Sequence, residues 1–245
     1  MSQQDSIYAA PRAAIHAFTF DEAVARVFPD MLKRSIPGYT QIVAYLGLWA
    51  AEYAQPNSRI YDLGCSLGAA TFAMRERVTQ PNVTMVAVDN APAMLSKLEQ
   101  TLDQTAQAGP PIELVLADLQ DVPIENASIV VLNFTLQFIA PAERAEIIGR
   151  IYDGLNPDGI LIISEKVVFP TPDQTERFID IYHDFKRANG YSDLEVAQKR
   201  TALENVLIPD TIEQHQARLL QAGFDSADVW FQAFNFMSML AIKGR

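Results

Sequence analysis

The stretch Tyr61-Asp62-Leu63-Gly64-Cys65-Ser66-Leu67-Gly68-Ala69-Ala70 places two glycines and a serine between an apolar run and a helical pattern. Small residues at such a junction permit a tight turn and let a ligand approach backbone amides at a helix N-terminus. The spacing reads G-x-S-x-G, which departs from the G-x-G-x-x-G dinucleotide fingerprint and imitates the nucleophile elbow of an α/β-hydrolase. An elbow needs a histidine at a late strand end, but His16 comes too early and His183 and His215 fall inside helical patterns. Simple closure of a strand–helix turn is the plain alternative for these glycines. Asp89 ends the next apolar run, about 20 residues beyond the turn, where an acidic side chain can accept both hydroxyls of a ribose. Pro92 follows it, so helix capping alone would also put an acid there. Asp118 repeats the arrangement at the end of the run 112–117, where an adenine would lie. Three successive strands each delivering a suitable group to one edge favour an adenosine site over capping.

Those residues need a sheet to hold them. Short apolar runs at 59–63, 84–89, 112–117, 129–133 and 160–164 are near-continuously hydrophobic, as strands covered on both faces must be. Helical patterns at 69–78, 92–107 and 141–155 separate them, and Asn156-Pro157-Asp158-Gly159 reads as a turn after the last. This alternation predicts a doubly wound α/β sheet with right-handed crossovers. Amphipathic helices are predicted at 21–35 and 40–54 before the unit, and at 174–189, 192–204 and 211–222 after it. A terminal antiparallel strand pair is expected at 226–234 and 236–242. The chain therefore divides into N-terminal helices (1–57), core βα units (58–166), a helical lid (167–222) and a strand pair (223–245), all in one domain. Helices outside such a unit usually cover the carboxyl ends of the strands, where ligands bind.

Composition narrows the class of function. The chain has 245 residues, 49% of them hydrophobic, and 19 Lys+Arg against 30 Asp+Glu give a net charge of −11. Such a charge, with no basic cluster, argues against direct nucleic-acid binding, which needs concentrated positive charge. One cysteine, Cys65, excludes an intramolecular disulfide and fits a reducing, cytoplasmic setting. The opening residues lack a basic segment followed by an apolar one, so no secretory signal is expected. No run approaches the roughly 18 apolar residues of a membrane span. The histidines lack a metal-like partner set, so no metal is expected. Cys65 reads as a small turn residue rather than a nucleophile.

The D-x-G-x-x-x-G turn, the acidic second strand and Asp118-Leu119 together resemble the class I S-adenosylmethionine (SAM) methyltransferase fold: a mostly parallel seven-stranded sheet with a C-terminal antiparallel hairpin. Methyltransferases commonly carry glycine where Ser66 stands; serine stays small but adds a hydroxyl beside the methionine moiety. The resemblance narrows through Phe20-Asp21-Glu22, Val27-Phe28-Pro29-Asp30-Met31, Arg34-Ser35-Ile36-Pro37-Gly38-Tyr39 and Leu132-Asn133-Phe134-Thr135-Leu136-Gln137-Phe138. With the segment 183–192, Gln198-Lys199-Arg200, Leu203-Glu204-Asn205-Val206 and Trp230-Phe231-Gln232, the chain resembles the carboxy-SAM synthase family essentially end to end. That resemblance implies conversion of SAM and prephenate to carboxy-SAM and phenylpyruvate. A separate tRNA carboxymethyltransferase then receives carboxy-SAM and builds the oxyacetyl group of wobble uridine. A homodimer is also expected. Carried over position by position, ligand contacts fall on Tyr39, Gly64, Cys65, Ser66, Asp89, Asn90, Asp118, Leu119, Asn133 and Arg200.

The residues suit that chemistry. Asn133-Phe134-Thr135-Leu136 offers an amide, a ring and a hydroxyl but no strong base, which fits a reaction whose base comes from the substrate. In the mechanism that the resemblance implies, prephenate loses carbon dioxide and its hydroxyl, the SAM methyl is deprotonated to a sulfonium ylide, and the ylide captures the carbon dioxide. The protein excludes water and holds the fragments together. Arg200 is the implied clamp for the new carboxylate, being always charged and planar; otherwise it is a solvated residue beside Lys199. Lys186 and Arg187 could meet the dianionic prephenate or simply charge the lid surface. Phe231, Phe234, Phe236 and the C-terminal methionines read as core or interface. Two rivals stand: a conventional small-molecule SAM methyltransferase, and a non-catalytic SAM-binding module docking on the tRNA-modifying enzyme.

Overall fold

The computed structural model describes residues 3–104 and 108–245. Its centre is a sheet of β1 (Arg59–Leu63), β2 (Thr84–Asp89), β3 (Ile112–Leu116), β4 (Ala127–Asn133), β5 (Leu155–Val168), β7 (Ser226–Ala233) and β8 (Phe236–Ile242), in the order β3-β2-β1-β4-β5-β8-β7. The first five strands run parallel, and β8 and β7 close the far edge antiparallel, with Ile163 opposite Met239 and Val229 opposite Met239 on its other side. This is the doubly wound methyltransferase architecture with its terminal hairpin. A two-residue strand, β6 (Asp210–Thr211), pairs with Val167 and Val168 beside that path; the sequence carries no signal for it.

The runs are continuously apolar because both faces are covered. Val86, Val88, Val130, Leu132, Leu161 and Ile163 form one face with α5 (Arg144–Gly154) and α8 (Ile212–Ala222). Met85, Ile129, Val131, Ile160 and Ile162 form the other with α2 (Tyr39–Tyr53) and α3 (Ala69–Arg75), while Leu95 and Leu98 of α4 (Pro92–Asp103) pack on Cys65 and Ala87. The last positions of the helix predicted over 92–107 lie outside the described residues. No helix among the described residues is long and apolar enough to cross a membrane.

Several local bounds change: the helix predicted over 69–78 ends at Arg75, and the one predicted over 174–189 begins at Pro172. Residues 156–159 do not end an element: they run within β5, with Asp158 at a φ of +61° and a register shift where Leu155 pairs with Ala127. The helix predicted from 141 begins at Arg144. The helices outside the βα alternation divide their work. The body of α2, and α8, pack on the sheet. In contrast α1 (Glu22–Ser35), α6 (Pro172–Ala188) and α7 (Asp193–Leu203) lie over the carboxyl ends of the strands, where they line a cavity of about 800 Å³. Each of these three helices starts on a side-chain cap, Asp21, Thr171 and Ser192 respectively, which satisfies an otherwise orphaned backbone N–H.

Candidate functional site

The floor of the cavity is the turn after β1. The amides of Gly64 and Cys65 both donate to the carbonyl of Val88, at 2.8 and 2.9 Å, so the turn is tied to the end of β2. Gly64 has a φ of +81°, and a Cβ there would press into the side chain of Thr135; only glycine fits both the backbone and the space. Ser66 also sits in the left-handed region, at a φ of +49°, which explains why related folds favour glycine at this position. Asp89 completes the turn: one carboxylate oxygen accepts from the Ser66 amide at 2.8 Å and the other from the Ala91 amide at 2.9 Å. The capping role and the ligand role are therefore compatible, because each carboxylate oxygen keeps a second lone pair for a ribose hydroxyl. Burial raises the Asp89 carboxyl above its ordinary value, against the pull of those backbone amides.

Every residue assigned to the site from the sequence lines this one cavity: Tyr39, Gly64, Cys65, Ser66, Asp89, Asn90, Asp118, Leu119, Asn133 and Arg200. Asn90 Nδ2 donates to Asp118 Oδ1 at 2.7 Å, which links the second- and third-strand acids. The Oδ1 of Asn133 is buried with no hydrogen-bond partner among the described residues. An orphaned buried acceptor is costly unless something donates to it. Adenosine hydroxyls and the amino-acid end of SAM are donors, and this edge presents the acceptors Asp89, Asp118 and Asn133 Oδ1 to them. The residues present fit SAM. Cys65 is buried, and desolvation with the charges of Asp62 and Asp89 pushes its thiol up, so it stays protonated as a turn residue. Among the described residues no group of three or more His, Cys, Asp or Glu side chains could hold a metal.

Arg200, in the last turn of α7, lines the cavity of its own chain and makes no hydrogen bond or ion pair among the described residues. The neighbouring cations were not all legible. Lys186 is buried in the cavity wall, whereas Arg187 is exposed and paired with Asp184 at 2.6 Å and Asp193 at 2.7 Å, which removes it from the site. Lys199, read only as a neighbour of Arg200, is buried and lines the cavity, and so does Lys166 at the end of β5. Lys166 follows the rule that brought out Asp89 and Asp118, since it stands at a carboxyl strand end, but the longer reach of β5 hid it. Phe236, expected in the core or an interface, is buried and also lines the cavity. Asp62 lines it too; complete burial pushes its carboxyl up to about 6, against the hydrogen bond from Thr71.

The segment after β4 is held by Glu165. Its carboxylate oxygens accept from the amides of Leu136 and Gln137 at 2.8 and 3.0 Å, and burial pushes its carboxyl up to about 8. Glu165 does not line the cavity, so it positions Phe134 and Thr135 without reaching a ligand. If Asp89 accepts ribose hydroxyls, Asp89→Asn should weaken SAM binding by about tenfold, the loss expected when a charged acceptor becomes a neutral one. Calorimetry giving an unchanged dissociation constant in a folded variant would sink the adenosine assignment.

A methyltransferase-domain family matches residues 60–159. Over 239 residues the chain is 58% identical to a carboxy-S-adenosyl-L-methionine synthase of Trichlorobacter lovleyi and 56% identical to one of Citrifermentans bemidjiense, covering 98% of each chain in both cases. The magnesium protoporphyrin IX methyltransferase of Synechocystis PCC 6803, solved with bound S-adenosylhomocysteine (SAH), superposes with a TM-score of 0.60 at 14% identity, over 87% of both chains; at that identity the likeness is one of fold. The chain belongs to the carboxy-S-adenosyl-L-methionine synthase family, enzymes built on the SAM-dependent methyltransferase fold.

Proposed function

We propose that this enzyme converts SAM and prephenate to carboxy-SAM and phenylpyruvate, supplying the carboxymethyl donor for oxyacetylation of wobble uridine in tRNA. It does so as a cytoplasmic homodimer that hands carboxy-SAM to a tRNA carboxymethyltransferase rather than binding RNA itself. The observation that carries this reading is Arg200, an exposed residue that lines the cavity with no partner among the described residues, opposite the edge that presents Asp89 and Asp118. A cation able to form two parallel hydrogen bonds has a use when a carboxylate is made at the sulfonium and less when a methyl is simply passed on.

SAM supplies a sulfonium methyl whose protons are acidified by the adjacent positive sulfur. The chain's own residues bind, orient and exclude water. Tyr39 and Phe134, with ring centroids 6.3 Å apart, wall the region beside the glycine turn, and burial with the charge of Asp62 pushes the Tyr39 hydroxyl up, so it stays protonated as a donor. His183 is held below its ordinary value by desolvation and by Lys186, so at neutral pH it adds no cation. The segment from Asn133 to Leu136 provides no carboxylate, and the hydroxide that prephenate releases as it loses carbon dioxide takes the methyl proton and leaves as water. Proximity and a dry site are then the protein's main contributions.

The purified protein should convert SAM and prephenate to carboxy-SAM in the presence of a chelator and without RNA. Product is read by mass spectrometry, and strict dependence on RNA or on a divalent metal would overturn the reading.

A further inference from the structure

The cavity is polarised. Its β1–β2–β3 edge carries Asp62, Asp89 and Asp118, whereas the part built by β5, α6 and α7 carries Lys166, Lys186, Lys199 and Arg200 against one acid, Glu204 at the end of α7. One of these lysines is accounted for within the fold. Lys199 Nζ donates to Ser35 Oγ at 3.2 Å and lies 3.9 Å from Asp5 Oδ2, and Asp5 also accepts from the Tyr191 hydroxyl at 2.6 Å. Lys166 and Lys186 have no such arrangement: among the described residues neither ammonium makes an ion pair or a side-chain hydrogen bond. Both lie instead over the buried ring of Tyr182, at 5.1 and 4.5 Å from its centroid. Two cations sharing one ring recover only a fraction of what their desolvation costs. That cost disfavours their charged forms. Burial and the nearby Arg200 bring the Lys166 amine down to about 8, and burial with Lys199 and Lys166 lowers that of Lys186 well below its ordinary value. An anion between them would relieve both.

We propose that Lys166 and Lys186, converging on the Tyr182 ring, form an anion subsite that holds the carboxylate the co-substrate keeps, while Arg200 faces the carboxylate it gives up. The inference rests on the prephenate reading and adds to it a division of labour between the two carboxylates. A dicarboxylate spanning both positions is selected over a monocarboxylate, since leaving either cation unmatched forfeits a charge-assisted bond. Phenylpyruvate retains only the carboxylate assigned to the lysines, so it probes that subsite alone.

The test titrates phenylpyruvate and prephenate into SAH-loaded protein, which cannot turn over. Lys166→Met and Lys186→Met should each weaken both ligands by about tenfold or more, as expected for losing a hydrogen bond to a charged group. Their affinity for SAH should stay within about threefold of wild type, which also reports that each variant folds. Arg200→Ala should weaken prephenate while leaving phenylpyruvate nearly unchanged. Phenylpyruvate binding that is absent in wild type, or unaltered in both lysine variants, overturns the subsite. Wild-type protein that binds phenylpyruvate through the lysines yet forms no carboxy-SAM from prephenate keeps the subsite and overturns the co-substrate.

Discussion

Gly64→Ala is expected to weaken binding of SAM and carboxy-SAM alike by about 100-fold or more. Two costs combine. The residue holds a φ of +81°, and an added Cβ would lie within 3.0 Å of three atoms of the Thr135 side chain. A left-handed conformation forced on a residue with a Cβ costs roughly 1–3 kcal/mol, and moving Thr135 displaces the segment that Glu165 fixes through the amides of Leu136 and Gln137. The total of about 3 kcal/mol corresponds to roughly 150-fold in affinity. Calorimetry with SAH checks it, with circular dichroism as the control for folding. An affinity within threefold of wild type would mean that the turn is not the ligand's floor.

Arg200→Ala should behave differently, because it separates the two ligands. If the guanidinium grips the carboxylate of carboxy-SAM, its loss should cost that ligand roughly 1.5–3 kcal/mol, about 10–150-fold, while SAM moves by less than about 1 kcal/mol. The glycine turn, not Arg200, is assigned to the amino-acid end that both ligands share. Arg200→Lys should rescue only partly, since a point charge cannot reproduce the planar fork. Equal losses for both ligands would assign Arg200 a general role in binding or folding. No loss for either would return it to the solvated surface and favour a conventional methyltransferase.

The parts of the fold that were legible are those whose cause is local. The bounds of β1 and β2 follow from apolar runs that end at the glycine turn and at Asp89, and the helices read from Asp21 and Ser192 start on those residues as caps, whereas the one read from Gln174 starts earlier, on Thr171. The start of β5 was not legible, because Asn156-Pro157-Asp158-Gly159 has turn chemistry and becomes strand only through pairing with β4 across a register shift. The acceptor edge could be read because the glycine turn, Asp89 and Asp118 stand at successive strand ends on the same side. The cationic side could not, because its partners are assembled by tertiary packing. Tyr191 and Asp5 stand 186 residues apart and still share a hydrogen bond that sets the charge around Lys199. Nothing near Lys166 in the sequence announces that α6 will bring the Tyr182 ring and Lys186 beside it. Arg187, beside it, turns outward to two aspartates, a choice decided by helix phase rather than by residue type.

In the proposed reaction a carboxyl group passes from prephenate to the SAM methyl carbon within this cavity. The most direct measurement supplies prephenate isotopically labelled in its ring carboxylate, together with SAM, and follows the products by mass spectrometry. Carboxy-SAM should carry the label in its new carboxylate, alongside unlabelled phenylpyruvate. Unlabelled carboxy-SAM, or SAH accumulating with a methylated acceptor, would contradict it.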